Sequence, residues 1–258
     1  MIEILTPREL EAARPAGQLV ARVLQELKRR TQPGTNLLEL DSWARAMIDE
    51  AQARSCYVDY APSFGRGPFG KVICTSVNDA VLHGLPHDYA LGQGDLLTLD
   101  FAVELGGWVA DAAVSFVVGR PVNEQDQHLI DTTTAALSAG IAAAQPGNKI
   151  GDISYAIGTV LTGAGYEVNT EFGGHGVGST MHQDPHISNI GRPGRGFTLR
   201  PGMLLAIEPW VMAGTKNLRI DADGWTLRSA NGGRTAHSEH TVAITEDGPQ
   251  ILTATHQV

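Results

Sequence analysis

The stretch 91-LGQGDLLTLD-100 returns later in the chain as 199-LRPGMLLAIE-208. Four of the ten positions are identical, and the last pair sets Asp100 against Glu208. Two further matches occur in the same order. Residues 33-PGTNLLEL-40 parallel 146-PGNKIGDI-153, with Glu39 against Asp152, and 111-DAAVSFVV-118 parallels 239-EHTVAITE-246, with Asp111 against Glu239. One match of this quality is weak evidence; three in one order point to a duplicated unit.

Local patterns give that unit its elements. Thr6, Pro7 and Glu9 read as a capped helix start. Apolar residues at Leu19, Val20, Val23, Leu24 and Leu27 continue the helical period, and Pro15 is expected to kink or split the helix. Pro33-Gly34 ends this element, and a second helix is predicted over 38–53. Strands are predicted at Val72–Ser76, Leu96–Val103 and Val109–Val118. The second half repeats the order: helices at Asn123–Ala144 and 150–163, a glycine-rich stretch, then strands at 203–210, near 217–229, and at 238–245. The reading is an α+β fold of two helix-helix-strand-strand units related by a pseudo-twofold axis. No linker divides the chain, so residues 1–258 are expected to form one domain, its halves covering about 1–120 and 121–258.

Composition narrows the function. Asp+Glu outnumber Lys+Arg by 28 to 19, for a net charge of −9. Binding to nucleic acid or an anionic membrane calls for basic patches and is not expected. No apolar run reaches the ~18 residues of a membrane span, and the start, MIEILTPREL, has no apolar secretion core. The two cysteines, Cys56 and Cys74, form no C-x-x-C. A reduced, cytoplasmic protein is expected.

The repeated carboxylates carry the chemistry. Gly106-Gly107 suits a two-residue hairpin turn. With that turn Leu105 opposes Trp108, Asp100 opposes Ala113, and Asp111 lies diagonal to Asp100 on one face, ~7–8 Å away at Cα. A slip of one residue would place them on opposite faces. Glu208 and Glu239 sit in equally apolar strand contexts in the second half. Four like charges in one pocket repel, by ~4 kcal/mol per pair at 4 Å and an effective dielectric of about 20. Two divalent cations would neutralise them.

Three histidines fall in 173-GGHGVGSTMHQDPHI-187. The zinc motif H-E-x-x-H is absent, so spacing alone leaves His175 and His182 as ligands, catalytic groups or plain loop residues. His175 is flanked by glycines that allow close backbone approach to a ligand. His83, in 81-VLHGLP-86, is a further candidate. His186, His87, His128, His237, His240 and His256 have no comparable context and are expected at the surface or behind the site. Ser179 lacks the G-x-S-x-G spacing of a nucleophile elbow.

Asp100, Asp111 eleven residues on, His175 in G-H-G-V-G, Glu208 in A-I-E-P and Glu239 in S-E-H-T-V together resemble the type I methionine aminopeptidases. So do 74-CTSVND-79, His83-Gly84-Leu85-Pro86 and 182-HQDPHI-187, and the resemblance runs from the first helix to about Leu252. It implies the duplicated pita-bread fold. It also implies two divalent ions (Co, Mn, Fe(II) or Zn) held by Asp100, Asp111, His175, Glu208 and Glu239, with Asp111 and Glu239 bridging. By the same resemblance, His182 would stabilise the developing oxyanion, Glu208 would move the proton to the leaving amine, and His83 would hydrogen-bond the substrate. Phe69, Cys74, Met181 and Trp225 would form the methionine pocket. Met181 stands where relatives carry an aromatic, and the 64–74 segment lacks the usual tyrosine. The implied activity is removal of N-terminal methionine from nascent polypeptides and Met-peptides by a cytoplasmic monomer working near the ribosome. Prolidases and Xaa-Pro aminopeptidases usually carry an added domain ahead of the catalytic one, and only 99 residues precede Asp100 here. A non-catalytic relative would be expected to lack some of the five ligand positions, and all five are present.

Overall fold

The computed structural model describes residues 2–62 and 65–254. Phe64, at the start of the segment lacking the tyrosine, and His256 lie outside them. Thr6 and Glu9 close the expected capping box, and helix α1 runs Pro7–Arg30. Pro15 lies inside it without splitting it. Its ring is on the exposed face, where the carbonyl it leaves without a donor faces water. The opposite face, with Ala13, Ala16, Val20 and Val23, is buried and packs on the hairpin below. Helix α2 (Leu37–Glu50) ends three residues earlier than predicted, where Gln52 turns left-handed at φ 53°.

Short strands β1 (Arg54–Ser55), β2 (Cys74–Val77) and β3 (Ala80–Leu82) precede the long hairpin of β4 (Leu96–Leu105) and β5 (Trp108–Val117). The second half opens with α3 (Glu124–Ala143) and α4 (Ile150–Gly163). The glycine-rich stretch, for which no element was predicted, forms β6 (Gly174–Gly176) and β7 (Gln183–Ile187). Strand 203–210 is broken into β8 (Leu204–Ile207) and β9 (Trp210–Met212), because Pro209 offers no ladder N–H. Then come β10 (Leu218–Ile220), β11 (Leu227–Ser229), β12 (Thr235–His237), β13 (His240–Thr245) and β14 (Gly248–Ile251).

The duplication is visible in hydrogen bonds. In the first half Gly34 N–H donates to Leu91 O (2.7 Å), Leu91 N–H to Thr35 O (2.8 Å) and Leu37 N–H to Tyr89 O (3.0 Å). In the second, Gly147 donates to Leu199 O (2.9 Å), Leu199 to Asn148 O (2.8 Å) and Ile150 to Phe197 O (3.0 Å). Each half buries its helices against its own sheet. The first core includes Val20, Leu40, Leu99 and Phe101; the second includes Leu129, Ile157, Leu205 and Ile244. In the first sheet β5 pairs with one side of β4 and β1 and β2 with the other; the second runs β14-β13-β8-β6-β7.

The halves meet along β5 and β13. Ala113 and Glu239 exchange backbone bonds, N···O 3.4 and 3.0 Å. Two residues away the Thr241 hydroxyl donates to Asp111 O (2.8 Å) and accepts from Asp111 N–H (2.9 Å). A carboxylate from each half is thus fixed at the seam.

Candidate metal centre

The hairpin register is the expected one: Leu105 opposite Trp108, Asp100 opposite Ala113, Asp111 opposite Ala102. Both carboxylates therefore project from one face. Cys74 pairs with Asp100 on the other neighbour, β2, which brings the thiol to the same place.

In the second half, His240 and Ile207 are the last pair of the β8–β13 ladder. Glu208 is the next residue beyond β8, and Glu239 the one before β13, so the two carboxylates meet where the ladder opens. His175 pairs with Ala206, which sets it diagonal to Glu208, Nε2 to Oε1 3.6 Å. Its Nδ1 lies 3.0 Å from Gly176 O. A carbonyl only accepts, so the proton sits on Nδ1 and Nε2 keeps its lone pair toward the carboxylates. Gly176 is required here: a Cβ would lie 2.1 Å from Asp184 O.

All eleven residues singled out in the sequence line one cavity of about 260 Å³. Its apolar wall brings together Phe69, Cys74, Met181 and Trp225, the Phe69 and Trp225 rings edge to face at 5.2 Å. Met181 is 8% exposed. His182 stands exposed at the mouth, its ring 4.4 Å from that of His175. The turn carrying Met181 and His182 is clasped by Glu3, whose carboxylate accepts from Ser179 N–H and Gln183 Nε2 at 2.9 Å each. His83 follows β3 at φ 55°, with its ring edge-on to Phe172 at 5.7 Å. Thr75 N–H donates to Gly84 O at 2.7 Å, and a Cβ on Gly84 would lie 2.3 Å from Thr75 O. That close approach holds His83 over the pocket.

Two side chains were missed. His237, expected at the surface or behind the site, is 1% exposed, with Nε2 3.8 Å from Glu208 and 3.7 Å from Glu239. The signal was available: His237 and Glu239 are two apart in an extended segment and share a face. Its backbone is clamped from the first half, since the Ser115 hydroxyl accepts from its N–H (2.9 Å) and donates to its carbonyl (2.7 Å). The other is Tyr57, whose hydroxyl reaches Asp100 and Asp111; nothing in its sequence context marks it. Tyr60 also lines the cavity, and His186 sits at its rim with its side chain exposed.

Electrostatics favour cations at this spot. Burial pushes Asp100 up to about 6. Asp111, Glu208 and Glu239 are pushed well above the usual carboxylate range, by burial first and then by neighbouring carboxylates. Burial holds His175 and His237 down at about 3, so both imidazoles are in the neutral, ligating form. Glu239 Oε1 and both His237 ring nitrogens are buried with no hydrogen-bond partner. Ligand atoms of Asp100, His237 and Glu239 lie within 4.8 Å of one another, as do those of Asp111, His175 and Glu239. Glu239 belongs to both sets. Buried carboxylates, neutral imidazoles and orphaned ligand atoms fit divalent metal.

The chain is similar to known proteins in both sequence and fold. The description "Metallopeptidase family M24" matches residues 11–246. The chain belongs to metallopeptidase family M24. Within M24 it groups with the type I methionine aminopeptidases. It is 41% identical to methionine aminopeptidase 1 of Bacillus subtilis over 254 residues, 98% of this chain and 99% of that one. It is 42% identical to that of Mycobacterium tuberculosis over 95% and 92% of the two chains. The crystal structure of a Thermotoga maritima methionine aminopeptidase superimposes with a TM-score of 0.93 at 36% identity, covering 99% and 100%. The M24 fold extends further: Pyrococcus furiosus prolidase superimposes at 0.76 with 22% identity, over 98% of this chain but 66% of the prolidase. The pita-bread architecture implied by the resemblance is the one found. Among the described residues no helix is long and apolar enough to cross a membrane.

Proposed function

We propose that this protein removes the N-terminal methionine from nascent polypeptides and Met-peptides by metal-dependent hydrolysis of the first peptide bond. The observation that carries the reading is the pair of ligand sets joined through Glu239 beneath a pocket walled by Phe69, Cys74, Met181 and Trp225. Near-full-length similarity to methionine aminopeptidases supports it.

Asp100, Asp111, His175, Glu208 and Glu239 would hold two divalent ions, with Asp111 and Glu239 shared between them. The oxygen-rich donor set suits Mn, Fe(II), Co or Zn better than Cu. When bound, the ions supply Lewis acidity and a water that loses its proton near neutral pH. The protein's own groups do the rest. The apolar pocket takes the methionine side chain, and the flexible thioether of Met181 adapts to that of the substrate. His83, held down at about 4 by burial, stays neutral at working pH and hydrogen-bonds the substrate amide. His182 at the mouth donates to the oxygen on which charge develops. Glu208 takes up a proton and passes it to the leaving amine. The partner is the nascent chain, met by a monomer in the cytoplasm near the ribosome.

The test is chelated protein reconstituted without oxygen with each of Mn, Fe(II), Co and Zn, then offered Met-Ala-Ser and Ala-Pro-Ser peptides. Free methionine released from the first, in proportion to metal loaded, is expected. No turnover with any of the four metals, or preference for the Xaa-Pro peptide, overturns the proposal.

A further inference from the structure

The four carboxylates are not treated alike by the protein around them. Tyr57 is 8% exposed, with its ring edge-on to Phe69 at 5.8 Å and its backbone N–H tied to the Ser55 hydroxyl at 3.1 Å. Its hydroxyl lies 2.5 Å from Asp100 Oδ1 and 3.2 Å from Asp111 Oδ1. Among the described residues no hydrogen bond within 3.5 Å reaches the carboxylate oxygens of Glu208 or Glu239; the Asn189 amide bonds only the Glu208 backbone carbonyl. Among the described residues only the first-half pair has a neutral side-chain donor hydrogen-bonded to it.

A phenol has one proton to give. The shorter contact assigns it to Asp100 Oδ1, which leaves Oδ2 of Asp100 directed to other partners. A buried hydrogen bond to an ionised oxygen stabilises the charged form and fixes the plane of the carboxylate. Partners that orient ligands in this way tune how tightly the ion is held.

We propose that Tyr57 is a positioning residue of the metal centre: its hydroxyl orients Asp100 and sets the affinity of the ion that Asp100 would serve. The proposal rests on Asp100 and Asp111 being ligands.

Tyr57→Phe keeps the ring and its packing on Phe69 and removes only the donor. Co(II) is titrated into chelated wild-type and Tyr57→Phe protein, with affinity followed by calorimetry and ligand geometry by the visible absorption of the bound Co(II). Thermal melts of the metal-free proteins check that both are folded. Expected are one site 10–100-fold weaker in the variant than in wild type, the usual effect of removing such a partner, and a changed absorption envelope. Affinity within twofold of wild type with an unchanged envelope overturns the proposal. So does a phenolate-to-metal charge-transfer band, in Fe(III)-loaded wild type, that vanishes in the variant, because Tyr57 would then be a ligand itself. No Co(II) binding by wild-type protein would instead overturn the metal reading of the site, a separate failure.

Discussion

The two halves deliver the same pair of carboxylates by different means. In the first, Asp100 and Asp111 are eleven residues apart and sit inside one unbroken hairpin. In the second, Glu208 and Glu239 are thirty-one residues apart, at the ends of strands whose ladder has just stopped. Between them the chain makes β9 and β12, which pair together, and the β10–β11 hairpin, which pairs with β3. That excursion carries Trp225 to the pocket wall and His237 to the carboxylates. The position matching His237 in the first half is Val109, a core residue. Duplication gave the molecule a symmetric set of oxygens; the long connection made the site asymmetric by adding the His237 imidazole and the Trp225 ring from one half only.

If the hairpin fixes the first pair, one glycine inserted between Gly106 and Gly107 turns Asp111 to the wrong face. Metal content should fall to background and kcat/KM by more than about 10³-fold, ~4 kcal/mol of barrier. The same insertion after Ala222, in the β10–β11 turn, should leave metal content intact. Equal metal loss in both variants, by elemental analysis, would break the comparison.

His182 belongs to the second half but to neither ligand set. Its replacement by Ala should cost about 10²–10³ in kcat with metal retained. Loss of metal in that variant places it among the ligands instead.

The added imidazole gives the next effect. His237→Ala should weaken metal binding by about 10–100-fold, measured against a competing chelator; an unchanged affinity reduces His237 to filler. The smallest effect concerns acid stability. Burial depresses His83 to about 4, so the unfolded chain takes up that proton first as pH drops through about 6.5. Stability is therefore lost between about 6.5 and 4 and then levels off. His83→Asn should flatten that part of the curve in urea melts at stepped pH, and an equally steep curve would show that His83 does not titrate this way.

How much of this could be read from the sequence follows the same division. The hairpin pair was legible because turn length and strand period fix a register over ten residues. The first helix start was legible because Thr6–Glu9 form a local capping box. β6 was not, because its glycines serve close packing, as at Gly176, and glycine reads as loop; nor was β7, which has no glycine but carries Pro185 at its centre. The break at Pro209 was overlooked, although a proline without an N–H should have divided the strand. His237 was hidden by judging each histidine singly and not by the two-residue period it shares with Glu239. Tyr57 approaches Asp100 only through tertiary packing, and no local pattern announces it.

In the proposed centre, carboxylates from both halves close on the same ions. The most direct test is anaerobic Co(II) calorimetry on wild-type protein, Asp111→Asn and Glu239→Gln. The two substitutions sit in different halves but at one seam, so each should abolish the tight binding seen in wild type. If either variant retains a site of wild-type affinity, the halves hold metal separately and the shared centre described here is wrong.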